Sequence, residues 1–299
     1  MNKEISYYTK GVRRKFSSFL FENDFIKNKG QLCLIRNLIS PQKFPVSTVF
    51  NDHYQALDYL GKNYACQLVF ENEIAVSEKG GKKNPLTPAV YAMHAYNQGD
   101  IETAKKQAEY LKSIAKNQGD QFYWEYTEDL LRFVILAPWT SGISQGVISS
   151  LMIRMYRETS DEMYLDLAKG AIGYCLDEQN GLRTQMDLGF WIEEYPSEKG
   201  AGVLNGFIFF LIGLGELASY GFFEEEFQMG VQALLKRLPF YHKGIYLKYA
   251  ANIPDLCNPW YDKIHYHQLL AMYDLTKANV FLNLKNYWVQ TSSTNVKTS

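Results

Sequence analysis

Cysteine is scarce in this chain: of 299 residues four are Cys, at positions 33, 66, 175 and 257. They are widely scattered with no Cys-x-x-Cys pair, so neither a zinc site nor a disulfide framework is indicated and all four read as buried thiols. An excess of charge of either sign is lacking too. With 31 basic against 32 acidic residues the net charge is −1, which gives no global attraction to nucleic acid or to a polyanionic sugar and leaves anion binding to local groups. There is no membrane-length apolar run, since the uncharged apolar stretch from Ala201 falls short of the ~20 residues that cross a bilayer. The first residues carry Lys3, Glu4, Lys10, Arg13, Arg14 and Lys15 with no apolar core like that of a secretion signal. The expectation is a cytoplasmic chain without a membrane span.

What is abundant is aromatic. Aromatics make up 15% of the residues, with 22 tyrosines, a content that fits a carbohydrate groove, although tyrosines also pack helix pairs. The 46% hydrophobic and 21% charged residues are ordinary for a globular chain of a length that buries one large core or two modest ones.

The periodicity is mostly helical. Ile143, Val147, Ile148, Leu151 and Met155 return on one helix face, and similar stripes run around Met163 to Leu176 and through Phe227, Val231, Leu234 and Leu238. Val203 to Leu217 is apolar nearly all round, which predicts a helix buried on every side. Asn97-Gln-Gly-Asp100 and Asn117-Gln-Gly-Asp120 bracket one helix, as in a helical-repeat protein. Val46 to Val69 reads as one or two helices, Ser77 to Lys83 as an exposed loop, and Thr291 to Ser299 as a polar, frayed end. The division expected is an N-terminal segment over residues 1–83, a main helical domain over 84–285 and a tail over 286–299.

Chemistry concentrates in Trp191-Ile-Glu-Glu-Tyr-Pro196 and Val203-Leu-Asn-Gly-Phe207, where Glu193, Glu194 and Tyr195 abut the apolar segment. Titratable groups beside a surface that excludes water suit acid–base work; a charged loop capping a buried helix accounts for the same residue types. His265 and His267 could meet a metal only on a strand, because residues two apart on a helix diverge. No metal and no cofactor is expected.

These residues resemble the C-terminal domain of the D-glucuronyl C5-epimerases, which convert glucuronate to iduronate in heparan-type polysaccharides. The shared blocks are Glu193-Glu-Tyr-Pro196, Val203-Leu-Asn-Gly-Phe207 at the family's spacing, Phe210-Leu-Ile-Gly-Leu214, Trp139-Thr-Ser-Gly-Ile-Ser-Gln-Gly146, Glu178-Gln-Asn-Gly181, and Trp260-Tyr-Asp-Lys-Ile-His265 with Gln268-Leu269. The resemblance implies an all-α fold, an α/α toroid of helix hairpins around a cleft. The β-sandwich domain of the animal epimerases is not expected, because Asn84 to Tyr91 reaches Trp139 in too few residues for a sandwich of roughly 100. It also implies a uronate-containing polysaccharide or oligosaccharide as partner, no nucleic acid, and leaves homo-oligomerisation open.

Residue by residue, the resemblance implies Glu194 and Tyr261 as the two acid–base groups, with Tyr195 also needed for activity. Asn205, Tyr246 and Tyr96 match substrate-contacting or functional positions, and Trp139, Gln145, Lys248 and His265 complete the candidate binding set. One departure stands out. The family places an arginine shortly after the tyrosine matching Tyr246, where this chain offers Lys248 or the uncharged Tyr249. A lysine gives a point charge in place of a bidentate fork, so Lys248, or Arg183 from elsewhere in the fold, is expected to supply the cation.

The reaction sets its own demands. Inverting C5 of a uronate needs a proton removed from one face and returned to the other, hence two proton-handling groups. Such catalysis supplies ~10²–10⁴ in rate, and donors around the substrate carboxyl must supply more. A uronate lyase shares the first step, and a non-catalytic glycan-binding toroid shares the fold.

Overall fold

The computed structural model describes residues 43, 44, 46, 68–77, 84–186, 188–196, 200–243, 246–252, 257 and 259–293. Eight helices fall among them: α1 (Leu86–Asn97), α2 (Ile101–Ile114), α3 (Gly142–Thr159), α4 (Glu162–Leu176), α5 (Leu204–Ala218), α6 (Glu224–Arg237), α7 (Pro259–Thr276) and α8 (Asn279–Ser293). Local chemistry starts and stops them. Asp100 caps α2 by accepting from the Thr103 N–H at 3.1 Å, and Asp161 caps α4 through Met163 at 3.0 Å, each satisfying an N–H that the helix itself cannot. Glu224, Glu225 and Glu226 open α6 while Lys236 and Arg237 close it, signs that complement the helix dipole.

Consecutive helices form four hairpins, and α1 packs on α3, α3 on α5 and α5 on α7, while α2, α4, α6 and α8 each back their own partner. The first helix of each hairpin therefore lies inside. Sequence pattern explains the division: α5 is buried at every position and α3 from Gly142 to Met155, whereas α2 buries only the stripe Ala104, Gln107, Ala108 and Leu111. The two inner helices touch backbone to backbone. A Cβ on Gly146 would lie 2.5 Å from the Phe210 Cα, and one on Gly213 2.5 Å from the Gly146 carbonyl oxygen, so any larger residue at either position pushes α3 and α5 apart.

Among the described residues the fold is thus mostly helical, without a β-sandwich. It is not purely helical: five two-stranded antiparallel sheets occur among the described residues. They are β1 (Leu68–Glu71) with β2 (Ile74–Ser77), β3 (Lys116–Gln118) with β4 (Gln121–Tyr123), β5 (Glu125–Tyr126) with β6 (Trp139–Thr140), β7 (Arg183–Met186) with β8 (Gly189–Ile192), and β9 (His242–Lys243) with β10 (Tyr246–Leu247). All but the first lie in the segments joining one hairpin to the next. Because inner helices α3, α5 and α7 begin where those segments end, the β-loops gather at one end of the inner layer.

Two sequence expectations need correction. The second Asn-Gln-Gly-Asp does not close a helical repeat: it is the turn of the β3–β4 hairpin, with Gln118 opposite Gln121 and Gly119 at φ 68°. Helix α8 runs on through residues 286–293, placed by sequence in a tail, because Trp288 is buried in the core. Most of the N-terminal segment lies outside the described residues, including 47–67 and 78–83. The β1–β2 hairpin docks on α2, where the Gln107 amide accepts from the Ala75 N–H and donates to the Glu73 carbonyl.

Candidate active site

The site is built on the strand that leaves β8. Glu193 donates its N–H to the Leu182 carbonyl at 2.8 Å, the Gly142 N–H reaches the Glu193 carbonyl at 3.2 Å, and the Ser141 hydroxyl donates to the Glu194 carbonyl at 2.7 Å. The 193–195 backbone is thereby pinned across the start of α3. Ser141 stands at the N-cap position yet makes no side-chain cap; its hydroxyl serves the strand.

The two glutamates face different tasks. Glu193 accepts from the Gly202 N–H at 2.8 Å and stands near Arg237, which fastens the loop ahead of α5. Burial raises its pKa, and the Gly202 and Ala201 N–H groups and Arg237 oppose the rise. Glu194 instead meets phenols. Tyr249 donates to its Oε1 at 3.2 Å, and the Tyr195 and Tyr249 hydroxyls lie 3.1 Å apart. Its Oε2 is buried without a hydrogen-bond partner. Burial pushes the Glu194 pKa up to about 7, with Tyr195 and Tyr249 pulling it down and the Glu193 charge adding to the rise. Gly206 makes room for it, because a Cβ there would sit 2.6 Å from Glu194 Oε2.

Tyr249 reaches this place through backbone pairing. Leu204 at the head of α5 donates to the Tyr249 carbonyl at 3.2 Å, Val203 bridges Ala250, and Ala251 donates to Gly202 at 2.9 Å. The third wall is α7, with the Tyr261 ring edge-on to Tyr249 at 4.9 Å and the Gln268 amide donating to the Asn205 carbonyl at 2.8 Å. The fourth is aromatic. Phe133 stacks on Tyr195 at 4.3 Å, and Trp139 lies 6.1 Å from Tyr195 and stacks on Tyr126 at 4.2 Å. Burial drives the hydroxyl pKa values of Tyr195 and Tyr249 well above the usual phenol value, and the Glu194 charge adds to this. Both phenols are therefore proton donors at neutral pH, not bases.

Of the ten residues singled out in the sequence, the structure brings Glu194, Tyr195, Tyr261, Trp139 and Asn205 together. His265 lies on the same face of α7 as Tyr261. Gln145 is placed otherwise: its amide accepts from the Trp124 N–H at 3.3 Å and donates to the Trp124 carbonyl at 2.9 Å, anchoring the β5 segment to α3. Tyr96 donates to Glu158 at 2.7 Å beside Arg154, at the far end of α3 from Ser141. Tyr246 opens β10, and its side chain lies outside the description. The buried Lys248 ammonium donates to the Ala251 carbonyl at 3.0 Å. Arg183 donates to the Leu176 carbonyl at 2.9 Å and lies against the Phe190 ring. A cation does stand at the rim, with the exposed Arg132 guanidinium 5.4 Å from the Phe133 ring centre. Among the described residues, the groups that shift Glu194 are phenols and another carboxyl.

Tyr249, Phe133 and Gln268 were not singled out in the sequence. The signal for Tyr249 lay next to Lys248, since neighbours in extended chain face opposite sides and only one of the two could face Glu194.

A carboxyl held near neutrality among protonated phenols, at the loop end of stacked helix hairpins, defines an acid–base site on a helical scaffold. Residues 111–290 match the family model described as D-glucuronyl C5-epimerase C-terminus, and the chain belongs to that family. It is 29% identical over 203 residues to the D-glucuronyl C5-epimerase of Caenorhabditis elegans, a match covering 59% of this chain and 33% of that protein. It is 24% identical over 208 residues to an uncharacterised protein of Methanocaldococcus jannaschii, covering 64% of this chain and 62% of the other. The matched region is thus about a third of the worm enzyme's length. Among the described residues no helix is long and apolar enough to cross a membrane.

Proposed function

We propose that this chain epimerises C5 of D-glucuronate to L-iduronate in a glucuronate-containing polysaccharide or oligosaccharide, as an isomerase without a cofactor. Glu194 is the observation that carries the reading. A general base works best with a pKa near the ambient pH, and burial brings this carboxyl to about 7 with one oxygen unpartnered. Its carboxylate takes the C5 proton, and the electron pair left at C5 delocalises into the adjacent carboxylate of the sugar. A proton then returns to C5 from the opposite face, the role assigned to Tyr261, which inverts C5; Glu194 afterwards gives its proton to solvent and the Tyr261 phenolate takes one up, so no net proton is consumed. Tyr249, protonated at neutral pH, donates a hydrogen bond to the carboxyl of Glu194, with the Tyr195 hydroxyl 3.1 Å from that of Tyr249, and both phenols lower the Glu194 pKa and keep its ionised form accessible. Trp139 and Phe133 belong to an aromatic wall of the kind on which sugars pack. Family membership and the name of the worm relative support the same substrate class.

The test uses heparosan-type oligosaccharides in heavy water. Deuterium should enter at C5 without new chain ends or the ultraviolet absorbance of an unsaturated uronate. Glu194→Gln and Tyr261→Phe should each suppress incorporation while the thermal midpoint shows the fold intact. Unsaturated product would assign a lyase instead, and binding without incorporation would assign a silent glycan-binding protein.

A further inference from the structure

We propose that Cys257 is a positioning residue that fixes the tautomer of His265, so that the imidazole presents an Nε2–H donor to an acceptor oxygen of the sugar. The proposal rests on the glucuronate reading for the identity of the sugar, and on geometry for everything else. His265 is fully buried. Its Nδ1 lies 3.8 Å from the Cys257 sulfur, while its Nε2 has no hydrogen-bond partner. On a helix, residues three and four apart share a face, which puts Tyr261, His265 and Gln268 in one stripe along α7. The two flanking members both engage the site: Tyr261 packs against Tyr249, and Gln268 holds the Asn205 carbonyl. His265 sits between them.

The thiol and imidazole can share one proton between them in two ways. Either Cys257 S–H donates to Nδ1 and the ring carries its proton on Nε2, or Nδ1–H donates to sulfur and Nε2 is bare. The proposal takes the first arrangement, in which the thiol proton is used in the contact and the ring nitrogen, the better acceptor of the two groups, receives it. Both groups are neutral at pH 7, because burial pushes the His265 pKa down to about 3 and the thiol well up, with Asp262 adding to the thiol's rise. An uncharged N–H buried in the wall fits an acceptor such as a uronate carboxylate or ring oxygen. Gln268 Oε1 and Glu194 Oε2 are likewise buried and unpartnered, acceptors suited to hydroxyl groups or to the migrating proton. Position 257 is held for this task by its own backbone, whose N–H donates to the Leu247 carbonyl at 2.8 Å, tying the thiol to β10 just ahead of α7.

Nitrogen-15 NMR of the histidine-labelled protein reads the tautomer directly, and calorimetry with a heparosan oligosaccharide reads its consequence. The wild type should show His265 protonated at Nε2 alone. Cys257→Ser, whose hydroxyl can still donate, should keep that signature and bind within about threefold. Cys257→Val should mix the tautomers and weaken binding about tenfold, the scale of one net hydrogen bond. An Nδ1–H signal in the wild type, an unchanged spectrum in Cys257→Val, or an altered tautomer with unaltered affinity would each overturn the proposal, as would a wild type that does not bind the oligosaccharide. If Cys257→Val does not fold, the wild-type and Cys257→Ser spectra decide it. Tautomer and affinity responding as stated, with no deuterium entering C5, would instead remove the epimerase reading and leave this one standing.

Discussion

A buried glutamate stands at each end of helix α5, Glu216 on the helix itself and Glu194 beside Gly206, and the two could hardly be treated more differently. At its C-terminal end Glu216 is fully enclosed, and Arg154 of α3 meets it with two hydrogen bonds of 3.1 and 3.0 Å while also donating to the Ser150 carbonyl. Burial raises the Glu216 pKa, and the guanidinium, which does not titrate in this range, pulls it back. At the N-terminal end, among the described residues, Glu194 meets two phenols and the neighbouring Glu193 carboxyl and keeps one oxygen unpartnered. A buried charge with a fixed counter-ion fastens helices, whereas a buried carboxyl left poised near neutrality is free to take up and release a proton. Among the described residues the same core thus holds one carboxyl fixed by a counter-ion and another left without one.

The comparison breaks most visibly at Glu194. Glu194→Gln keeps shape and loses the base, so C5 exchange should fall by roughly 10²–10⁴, the range general-base catalysis supplies. Stability should move the opposite way. The carboxyl titrates near 4.5 unfolded and about 7 folded, so the stability linked to it is full below the lower value and is lost as pH rises through the higher one. At pH 8 Glu194→Gln should therefore be more stable than wild type, by up to about 3 kcal/mol, and the advantage should vanish near pH 4. Urea melts at the two pH values measure it; a variant less stable at pH 8 would mean the carboxyl is not poised.

At the other end the expectation reverses. Arg154→Ala leaves Glu216 buried with its counter-charge removed, which should cost about 3–5 kcal/mol in urea unfolding, whereas Arg154→Met with Glu216→Leu should come close to wild type. If the double change were as damaging as the single, the pair would be doing more than filling space.

Much of this was legible in the chain. The uniformly apolar stretch from Val203 fixes α5 as an inner helix, and glycine at 146 and 213 fits the backbone contact that seats it on α3. The second glutamate of the Glu-Glu-Tyr-Pro block, the one the resemblance implies for acid–base work, keeps an unpartnered oxygen, but only coordinates tell that the first is consumed by the Gly202 loop. Tyr249 was obscured because charge draws attention to Lys248, and which of two adjacent side chains faces a site is set by register with Ala201 to Val203, a long-range pairing. Gln145 sits in a matching block and Tyr96 at a single matched position, yet their partners, the Trp124 backbone and Glu158, lie in segments that local pattern does not connect to them.

Tyr249 sharpens the comparison by degrees. Its hydroxyl donates to Glu194 and so lowers that pKa; Tyr249→Phe should raise it. The acid limb of kcat/KM should shift to higher pH, and activity at pH 7 should fall about tenfold, partly recovered at pH 8. A pH profile that drops without shifting would show Tyr249 serving the substrate and not the carboxyl.

The smallest effect is expected at Tyr96. Its hydroxyl donates to Glu158 at 2.7 Å, and the Arg154 guanidinium lies 5.9 Å from its ring centre, so it belongs to the architectural end of α3. Helix α3 rises about 1.5 Å per residue, which puts Glu158 some 20 Å or more along the axis from Ser141 and the Glu194 backbone it holds. Tyr96→Phe should therefore cost about 1 kcal/mol in unfolding, the net worth of one hydrogen bond, and leave the rate of C5 exchange within twofold. A loss of exchange comparable to that of Tyr249→Phe, with the fold intact, would mean that the sugar chain reaches both ends of α5 and that the division between them is drawn in the wrong place.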